Sequence, residues 1–184
     1  MNIREMKIED YEQVFALWKT IKGFGIRSVD DSKEGIERFL KWNPGLSVVA
    51  EEKGMIVGAI LCGSDGRRGC LYHVCVHKDH RRQGIGKTMV IWCMEKLKEL
   101  QINKVSLITC TKNDVGNAFW KEIGWTKRED LNYFEEAEGY EQLMEQFHLT
   151  QEAMAARVGK KQSTIANKLR LLKLSANIRT ELRA

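Results

Sequence analysis

The beginning of the chain has two helical patterns of apolar residues, followed by two extended ones. Residues 9–19 carry apolar side chains at the spacing of one helix face. A second helix is predicted to begin near Asp31 or Ser32, where a capping residue precedes another apolar face. Residues 46–51 and 55–61 are typical of two strands joined by a tight turn. The pattern therefore predicts two helices followed by a strand hairpin.

The middle of the chain continues with strands and two more helices. Asp65-Gly66 indicates a second hairpin, and residues 71–76 have the pattern of a strand that precedes a helix. A strand over residues 105–109 precedes another helix. Short runs around Thr126 and over residues 131–134 suit closing strands, so the sheet is expected to be complete near residue 135.

A glycine-containing loop, RRQGIG at residues 81–86, separates the third predicted helix from its strand. Gly84 and Gly86 allow a ligand to approach the backbone closely. The helix that follows offers unpaired N–H groups and the positive end of its dipole, which together favour an anion. Positive charge comes from three side chains: Arg81, Arg82 and Lys87. The loop is therefore predicted to hold a phosphate or a pyrophosphate.

Two common phosphate motifs do not fit this loop. A dinucleotide fingerprint needs a third glycine, which is absent, and a P-loop needs glycine at position 81, where the chain has arginine. The simplest alternative is a strand-to-helix turn with solvated arginines. The hexapeptide does resemble the R/Q-x-x-G-x-G/A signature of the GNAT acetyltransferases, which hold the pyrophosphate of acetyl-CoA.

Two further segments extend the resemblance to this family. Residues 74–76 resemble the apolar-x-apolar triplet whose splayed backbone pairs with the pantetheine arm. From Asn113 to Trp125 the spacing is similar to the family pattern N-x-x-A-x-x-x-Y-x-x-x-G-F, with Gly116 in place of alanine and Trp120 in place of tyrosine. The resemblance covers residues 1–136, which are expected to form one GNAT domain.

The resemblance implies a fold and a cofactor. The expected fold is α/β (α+β), with a mixed, mostly antiparallel central sheet flanked by helices and a small all-α segment after it. The implied cofactor is acetyl-CoA. The residues expected to bind it are Val74, Cys75, Val76, Arg81, Arg82, Gln83, Gly84, Ile85, Gly86, Lys87, Thr88, Asn113 and Trp120.

The resemblance also implies direct acyl transfer to an amine. The backbone N–H near Val74 or Val76 is the expected oxyanion donor. The family's acid is the tyrosine of the second motif, which Trp120 replaces here, and this indole is expected to pack along the cofactor arm. Relatives with a glutamate or histidine base carry it where this chain has Cys70 and Tyr72.

Several residues remain open as catalytic or acceptor-site groups. Tyr72 could move a proton if its pKa of about 10 were lowered, and Asp65 is the carboxylate alternative. His73 is expected to point to the other face of the strand unless a bulge changes the alternation. A water chain combined with positioning is the third option. Trp18 and Phe24 are candidates for acceptor contact, with core packing as the alternative.

The character of the chain changes after residue 138. Strand patterns disappear, and eight basic residues stand against four acidic ones, so most of the net charge of +5 lies in this tail. Thr150 is predicted to cap a short helix over residues 153–158, and Gly159 supplies a turn before a helix over about residues 161–172. Two helices around a glycine turn are typical of a helix-turn-helix.

Residues 139–184 form a separate segment, and about residues 139–175 of it resemble the helix-turn-helix of the ParB and nucleoid-occlusion (Noc) proteins. The resemblance is carried mainly by LTQEAMAARVGKKQSTIANKLRLLKL, residues 149–174. The resemblance includes a preceding helical stripe of Tyr140, Leu143, Met144 and Phe147, and it covers only that family's central DNA-binding part. The predicted DNA contacts are Lys160, Lys161, Gln162, Ser163, Thr164, Asn167, Lys168 and Arg170. The alternative is a helical tail that packs on the acetyltransferase or mediates assembly, such as a homodimer.

Composition limits the other classes of protein. The pI near 8.9 is compatible with an anionic cofactor or with nucleic acid. No signal-peptide pattern and no long apolar run are present, so a cytoplasmic protein without a membrane partner is expected. The five cysteines form no CxxC pair and are expected to be buried free thiols. His73, Cys75 and His77 have strand spacing, so no metal site is expected.

These patterns together predict an acetyl-CoA-dependent N-acetyltransferase with an appended DNA-binding helix-turn-helix. The acceptor is expected to be a primary amine on a small molecule or a protein. The residues predicted to lie at the acceptor site do not indicate which amine it is. The alternative is an acetyl-CoA-sensing DNA-binding regulator with little catalytic activity, which the replacement of tyrosine by Trp120 favours slightly.

Overall fold

The structure is a computed structural model that divides into two compact units, residues 1–126 and 127–184. It describes residues 1–21, 24–26, 30–132, 144, 148–157, 159 and 161–172, without the side chains at 168 and 170–172. The two units have separate apolar cores and are described one after the other.

The first unit contains five strands and four helices. The strands are β1 (Asn2–Glu5), β2 (Val48–Glu52), β3 (Met55–Ser64), β4 (Gly69–Val76) and β5 (Val105–Leu107). The helices are α1 (Tyr11–Lys19), α2 (Lys33–Trp42), α3 (Ile85–Glu99) and α4 (Asp114–Glu122), with 3-10 turns at Ile8–Asp10 and Lys78–His80. The described part of the second unit contains α5 (Gln151–Arg157) and α6 (Gln162–Leu172).

The five strands form one sheet in the order β1-β2-β3-β4-β5. The first four are antiparallel neighbours, and β5 runs parallel to β4. A parallel neighbour requires a long crossover connection, and α3 lies within the one between β4 and β5. The predicted mixed, mostly antiparallel sheet flanked by helices is therefore confirmed.

Helices cover the two faces of this sheet. Met89, Cys93 and Leu97 of α3 belong to the core on one face, and Trp18 of α1 and Ile36 of α2 belong to the core on the other. All residues of β3 except the two at its ends are buried, because this central strand is covered on both faces. Its long apolar run has this cause, since a strand with only one buried face would alternate.

Most predicted elements are present, with one clear error. Both N-terminal helices form, and Ser32 Oγ accepts a hydrogen bond from Gly35 N at 3.1 Å, as a helix cap does. The strand predicted around Thr126 is wrong: the described residues from 123 to 132 contain no strand. Here Trp125 N donates to Trp120 O at 2.9 Å and so ties the chain to the end of α4. The other predicted closing strand, over residues 131–134, lies partly outside the described residues, and its two described residues are not in a strand.

Two properties of the fold bear on the remaining sequence predictions. All five cysteines are free thiols, as expected, but the expected burial is wrong for two of them: Cys70 is half-buried and Cys110 is exposed. None of the helices in the described ranges combines the length and the apolar character that a bilayer span requires.

An ion-pair network joins β1 to the start of α1 and to β2. Arg4 contacts Asp10 at 2.8 Å and Glu51 at 2.8 Å. Asp10 is buried and also accepts a hydrogen bond from Lys7 N at 2.8 Å. Burial alone would raise the pKa of Asp10, but the hydrogen bonds from Arg4 and from the Lys7 amide outweigh it and hold this pKa below 3.8. The charged carboxylate therefore stabilises the folded state.

The substitution Asp10→Asn is expected to lower the free energy of unfolding at neutral pH by about 1.5–3 kcal/mol, the range for hydrogen bonds to charged groups. Because the folded-state pKa is depressed, the wild-type contribution is complete above the ordinary value of 3.8 and is lost as the pH falls through the folded value. Urea unfolding from pH 7 to pH 2 checks this. The exposed neighbour gives the control Glu9→Gln, and equal acid dependence of wild type and D10N would contradict the prediction.

Candidate active site

The loop before α3 ends in a helix start that has no cap from its own side chains. Gly84 is the N-cap and has φ +78°, a left-handed conformation that glycine adopts without strain. The first turn contains no acidic residue and no side chain caps it. Among the described residues, no group accepts a hydrogen bond from the amides of Ile85, Gly86 and Lys87. These amides can therefore bind an anion.

Basic side chains surround this helix start. Arg81, Arg82 and Lys87 are all exposed. Arg81 Nε donates to Val76 O at 3.1 Å, which links the loop to the last residue of β4. The predicted phosphate loop thus lies at the end of the strand that, by the family resemblance, is predicted to pair with the pantetheine arm.

The two last strands of the sheet separate next to this loop. Pairing between β4 and β5 extends only from Gly69 to Leu71 on β4, whereas β4 continues to Val76. No strand in the described part of the chain pairs with that edge of β4 beyond Leu71, so the backbone N–H groups there are not paired with a neighbouring strand. Val74 and Val76 pack on the α3 side of the sheet, and the thiol of Cys75 is buried on the other side. Burial raises the pKa of Cys75 to about 12, so this thiol stays protonated.

The second motif forms a capped helix beside the loop. Asn113 Oδ1 accepts from Gly116 N at 3.0 Å and caps α4. A Cβ at position 116 would lie 2.4 Å from Asn113 Nδ2, so a larger residue at this position requires the Asn113 side chain to move. Asn113 Nδ2 donates to Thr109 Oγ1 at 3.4 Å. A contact from Asn113 to pantetheine stays a prediction.

The aromatic residues of α4 have two different environments. Trp120 is buried, with its ring centroid 4.9 Å from that of Trp125 and 5.0 Å from that of Phe119. The ring of Phe119 lies 3.2 Å from the position of a Cβ on Gly86, so α4 packs directly against the start of α3. Sequence reasoning missed this contact, because Phe119 carries no motif signal beyond its apolar character. A contact of Trp120 with the cofactor stays a prediction.

Neither predicted catalytic side chain has an environment that favours a proton acceptor. Burial and a hydrogen bond with Cys70 raise the pKa of Tyr72 to about 12, opposite to the shift that a base requires. Asp65 Oδ1 accepts from Arg68 N at 2.6 Å and Arg67 N at 2.8 Å, and these amides lower its pKa. Asp65 thereby shapes the hairpin turn. The catalytic roles of Tyr72 and Asp65 stay predictions.

A bulge in β4 changes which face His73 occupies. Ala59 pairs with Cys75 and Leu61 pairs with Tyr72, so two residues of β4 lie opposite one residue of β3. His73 has φ +47°, a left-handed conformation unusual for a residue with a side chain. Its ring therefore lies on the α1–α2 face, where Tyr72 also lies. Simple alternation, which places His73 on the face opposite Tyr72, is wrong here.

Three residues hold the His73 ring in place. His73 Nε2 lies 2.7 Å from Asp31 Oδ1. The ring centroid lies 4.6 Å from that of Trp18 and 5.0 Å from that of Phe24, which stacks on it. Trp18 is fully buried and belongs to the core, and Phe24 is half-buried. No sequence signal connects Asp31 with His73, because the two are brought together only by the fold.

The described part of the second unit is a helix pair with a turn between. Thr150 Oγ1 accepts from Ala153 N at 3.1 Å and caps α5, and Gly159 has φ +64° in the turn, as predicted. The core residues of the pair are Met154, Ala155, Ile165 and Leu169. Four predicted DNA contacts are exposed: Lys161, Gln162, Ser163 and Asn167. Thr164 is half-buried, and Lys160 and the side chains of Lys168 and Arg170 lie outside the described residues.

The first unit is a mixed five-stranded sheet that splits beside an uncapped helix start, and comparison with known sequences identifies its family. The sequence model of the acetyltransferase (GNAT) family matches residues 10–125, and that of the ParB HTH domain matches residues 129–184. The chain therefore belongs to the GNAT acetyltransferase family and carries a ParB-type helix-turn-helix domain after it.

Individual relatives are similar over the first unit. An acetyltransferase of Sodalis glossinidius is 31% identical over 131 residues, covering 71% of this chain and 91% of the relative. An acetyltransferase of Pectobacterium atrosepticum is 36% identical over 123 residues, covering 67% and 86%. The solved PaiA N-acetyltransferase of Thermoplasma acidophilum, in complex with coenzyme A, superposes with a TM-score of 0.62 at 22% identity, covering 71% and 92%. These matches support an acetyltransferase.

Proposed function

We propose that this acetyltransferase moves the acetyl group of acetyl-CoA to a primary amine of a small molecule or protein. The observation that carries the proposal is the uncapped start of α3, with left-handed Gly84 and basic side chains around it, directly beside the open edge of β4. The name of the Thermoplasma acidophilum relative, an N-acetyltransferase solved with coenzyme A, supports the same acceptor chemistry.

The residues of the chain have distinct tasks in this proposal. The amides of Ile85, Gly86 and Lys87 bind the pyrophosphate, and Arg81 and Arg82 neutralise its charge. When bound, acetyl-CoA supplies an activated thioester. The backbone N–H groups on the open edge of β4 pair with the pantetheine arm, and one near Val74 or Val76 donates to the developing oxyanion.

Acetylation of an amine is expected to release free CoA thiol at a rate that depends on the amine concentration. The intact protein is incubated with acetyl-CoA and separate amines: a polyamine, an aminoglycoside, and peptides with a free N-terminus or a lysine. Thiol release and the mass of the acetylated amine are both measured, and acetyl-CoA without amine is the control. Tight CoA binding without acetylation of any amine would favour the regulator over the enzyme.

We further propose that the C-terminal unit binds DNA. Four exposed residues lie just before α6 or in its first half: Lys161, Gln162, Ser163 and Asn167. This is the part of a recognition helix that meets the major groove. Lysine reaches phosphates, and asparagine can pair with adenine. The excess of basic over acidic residues after position 138 also favours DNA as the partner.

Binding of the intact protein to a mixed-sequence duplex, measured by fluorescence anisotropy at several salt concentrations, tests this second activity. Contacts to phosphates release counterions, so the logarithm of the affinity should fall linearly as the logarithm of the salt concentration rises. A flat salt dependence, or no binding at low salt, would indicate that the helices only pack.

A further inference from the structure

The imidazole of His73 is held in place by one carboxylate and two aromatic rings. It lies at a bulge in the strand whose edge opens toward the proposed cofactor, in a backbone conformation that costs free energy for a residue other than glycine. It is tied to a buried carboxylate, Asp31, and its ring contacts two aromatic rings. Strain and a fixed ring at one point are typical of residues that act on a ligand.

We propose that His73 is the catalytic base that accepts the proton from the acceptor amine, and that Asp31 is its positioning residue. This inference rests on the proposed amine acetylation and assigns a group to the step for which Tyr72 and Asp65 were the sequence candidates.

The contact with Asp31 decides which nitrogen of the ring is basic. Nε2 lies 2.7 Å from the Asp31 carboxylate, and because a carboxylate can only accept, we assign the hydrogen to Nε2 and the basic lone pair to Nδ1. No hydrogen bond to Nδ1 is present within the described ranges. A fifth of the His73 side chain is exposed, whereas Asp31 is 8% exposed. The ring is therefore held by a buried carboxylate, while part of the His73 side chain remains exposed.

The surrounding aromatic rings fix the plane of the imidazole. Phe24 stacks on it with an interplanar angle of 28°, and Trp18 meets it at 56°. Trp18 is itself fully buried in the core between α1 and the sheet. An imidazole held on one edge and on its faces loses little rotational freedom when the amine arrives, as positioning catalysis requires.

The proton balance of the step is complete with groups already named. The amine lone pair attacks the thioester carbonyl carbon, so a C–N bond forms and the C–S bond then breaks, with the electron pair leaving on sulfur. The proton of the attacking nitrogen passes to His73 Nδ1. The imidazolium then gives it to the thiolate, so the products are the acetamide, CoA thiol and a neutral histidine.

Two substitutions at His73 keep the left-handed backbone while removing the base. Asparagine adopts this conformation readily, and glycine does so without strain. With an amine found by the acetylation assay, His73→Asn is expected to lower kcat by about 100-fold or more, with the Kd for CoA and the KM for the amine little changed. In His73→Gly, added imidazole is expected to restore part of kcat. His77→Asn, which removes a ring just beyond the end of β4, is the matched control.

Asp31 is tested by a measurement that a purely structural role would not change. Long-range 1H–15N correlation of the histidine rings in the free protein should show His73 protonated on Nε2 and not on Nδ1. Asp31→Asn should mix the two forms and lower kcat less than His73→Asn does. The adjacent exposed carboxylate gives the control Asp30→Asn, which should change neither.

The possible results separate this inference from the function on which it rests. If the wild type acetylates an amine and His73→Asn keeps its kcat, or if the His73 proton resides on Nδ1, the assignment is overturned while the function stands. The assignment is also overturned if His73→Asn loses both kcat and CoA binding and added imidazole does not restore the kcat of His73→Gly. If the wild type acetylates no amine, both fail together.

Discussion

Replacement of Gly84 by valine is expected to weaken CoA binding by about 5- to 150-fold. A β-branched residue at φ +78° costs about 1–3 kcal/mol of strain. A Cβ at this position meets nothing within 4 Å, so the effect comes from the backbone and not from a clash. To relieve the strain the backbone must rotate, which turns the amides of Ile85 and Gly86 away from the pyrophosphate.

Two controls separate this geometry from general destabilisation. Gly84→Asn is expected to bind CoA nearly as well as the wild type, because asparagine tolerates the left-handed region. Gly54→Val introduces the same strain at φ +79°, in an open hairpin turn between β2 and β3, and should lower the melting temperature without changing CoA affinity. Isothermal titration with CoA measures all three variants. Equal affinity of Gly84→Val and wild type would contradict pyrophosphate binding by this loop.

Ile165→Asp is expected to unfold the helix pair of the C-terminal unit and to leave CoA binding intact. Ile165 is fully buried beside Met154 and Leu169. Loss of its burial costs about 2–5 kcal/mol, and an unpaired carboxylate in this core adds a further penalty. A unit of this size rarely has more than about 3–5 kcal/mol of stability from its core. The expected destabilisation is therefore as large as the whole free energy of unfolding of this unit.

The result is measured by limited proteolysis and by DNA binding of the full chain. Cleavage should become rapid between residues 148 and 172, and salt-dependent retention of a DNA duplex should disappear. Ala156→Asp adds the same charge at an exposed position of α5 and is the control. Slow cleavage of the Ile165→Asp protein would show that the Met154–Leu169 cluster does not hold the helices together. Loss of CoA binding would show that the two units depend on each other.

Local patterns predicted most of the fold. The helix start at Ser32, the tight turn between β2 and β3 and the Thr150 cap depend on neighbouring residues only, and each was predicted correctly. The closing strand around Thr126 was not, because a short polar and apolar run carries little information about its partner. A backbone hydrogen bond from Trp125 to the end of α4 decided that segment instead.

The catalytic candidates show where sequence reasoning about the site stops. Tyr72 and Asp65 are residue types that can accept a proton. The pKa of each is shifted by burial or by turn amides, and these depend on the fold. The contact of Phe119 with Gly86 likewise joins two motifs that are far apart in sequence.

The sequence by itself determined the family, the helix start at Gly84 and the two-part organisation, because each of these depends on the order and spacing of nearby residues. Only the tertiary structure decided the face of His73 and its partner. A bulge in β4 inverts the alternation of the strand, and the fold brings Asp31 to within 2.7 Å of a ring 42 residues away along the chain. Interactions at such separations leave no periodic signal in the chain, so they become visible only when the backbone is folded.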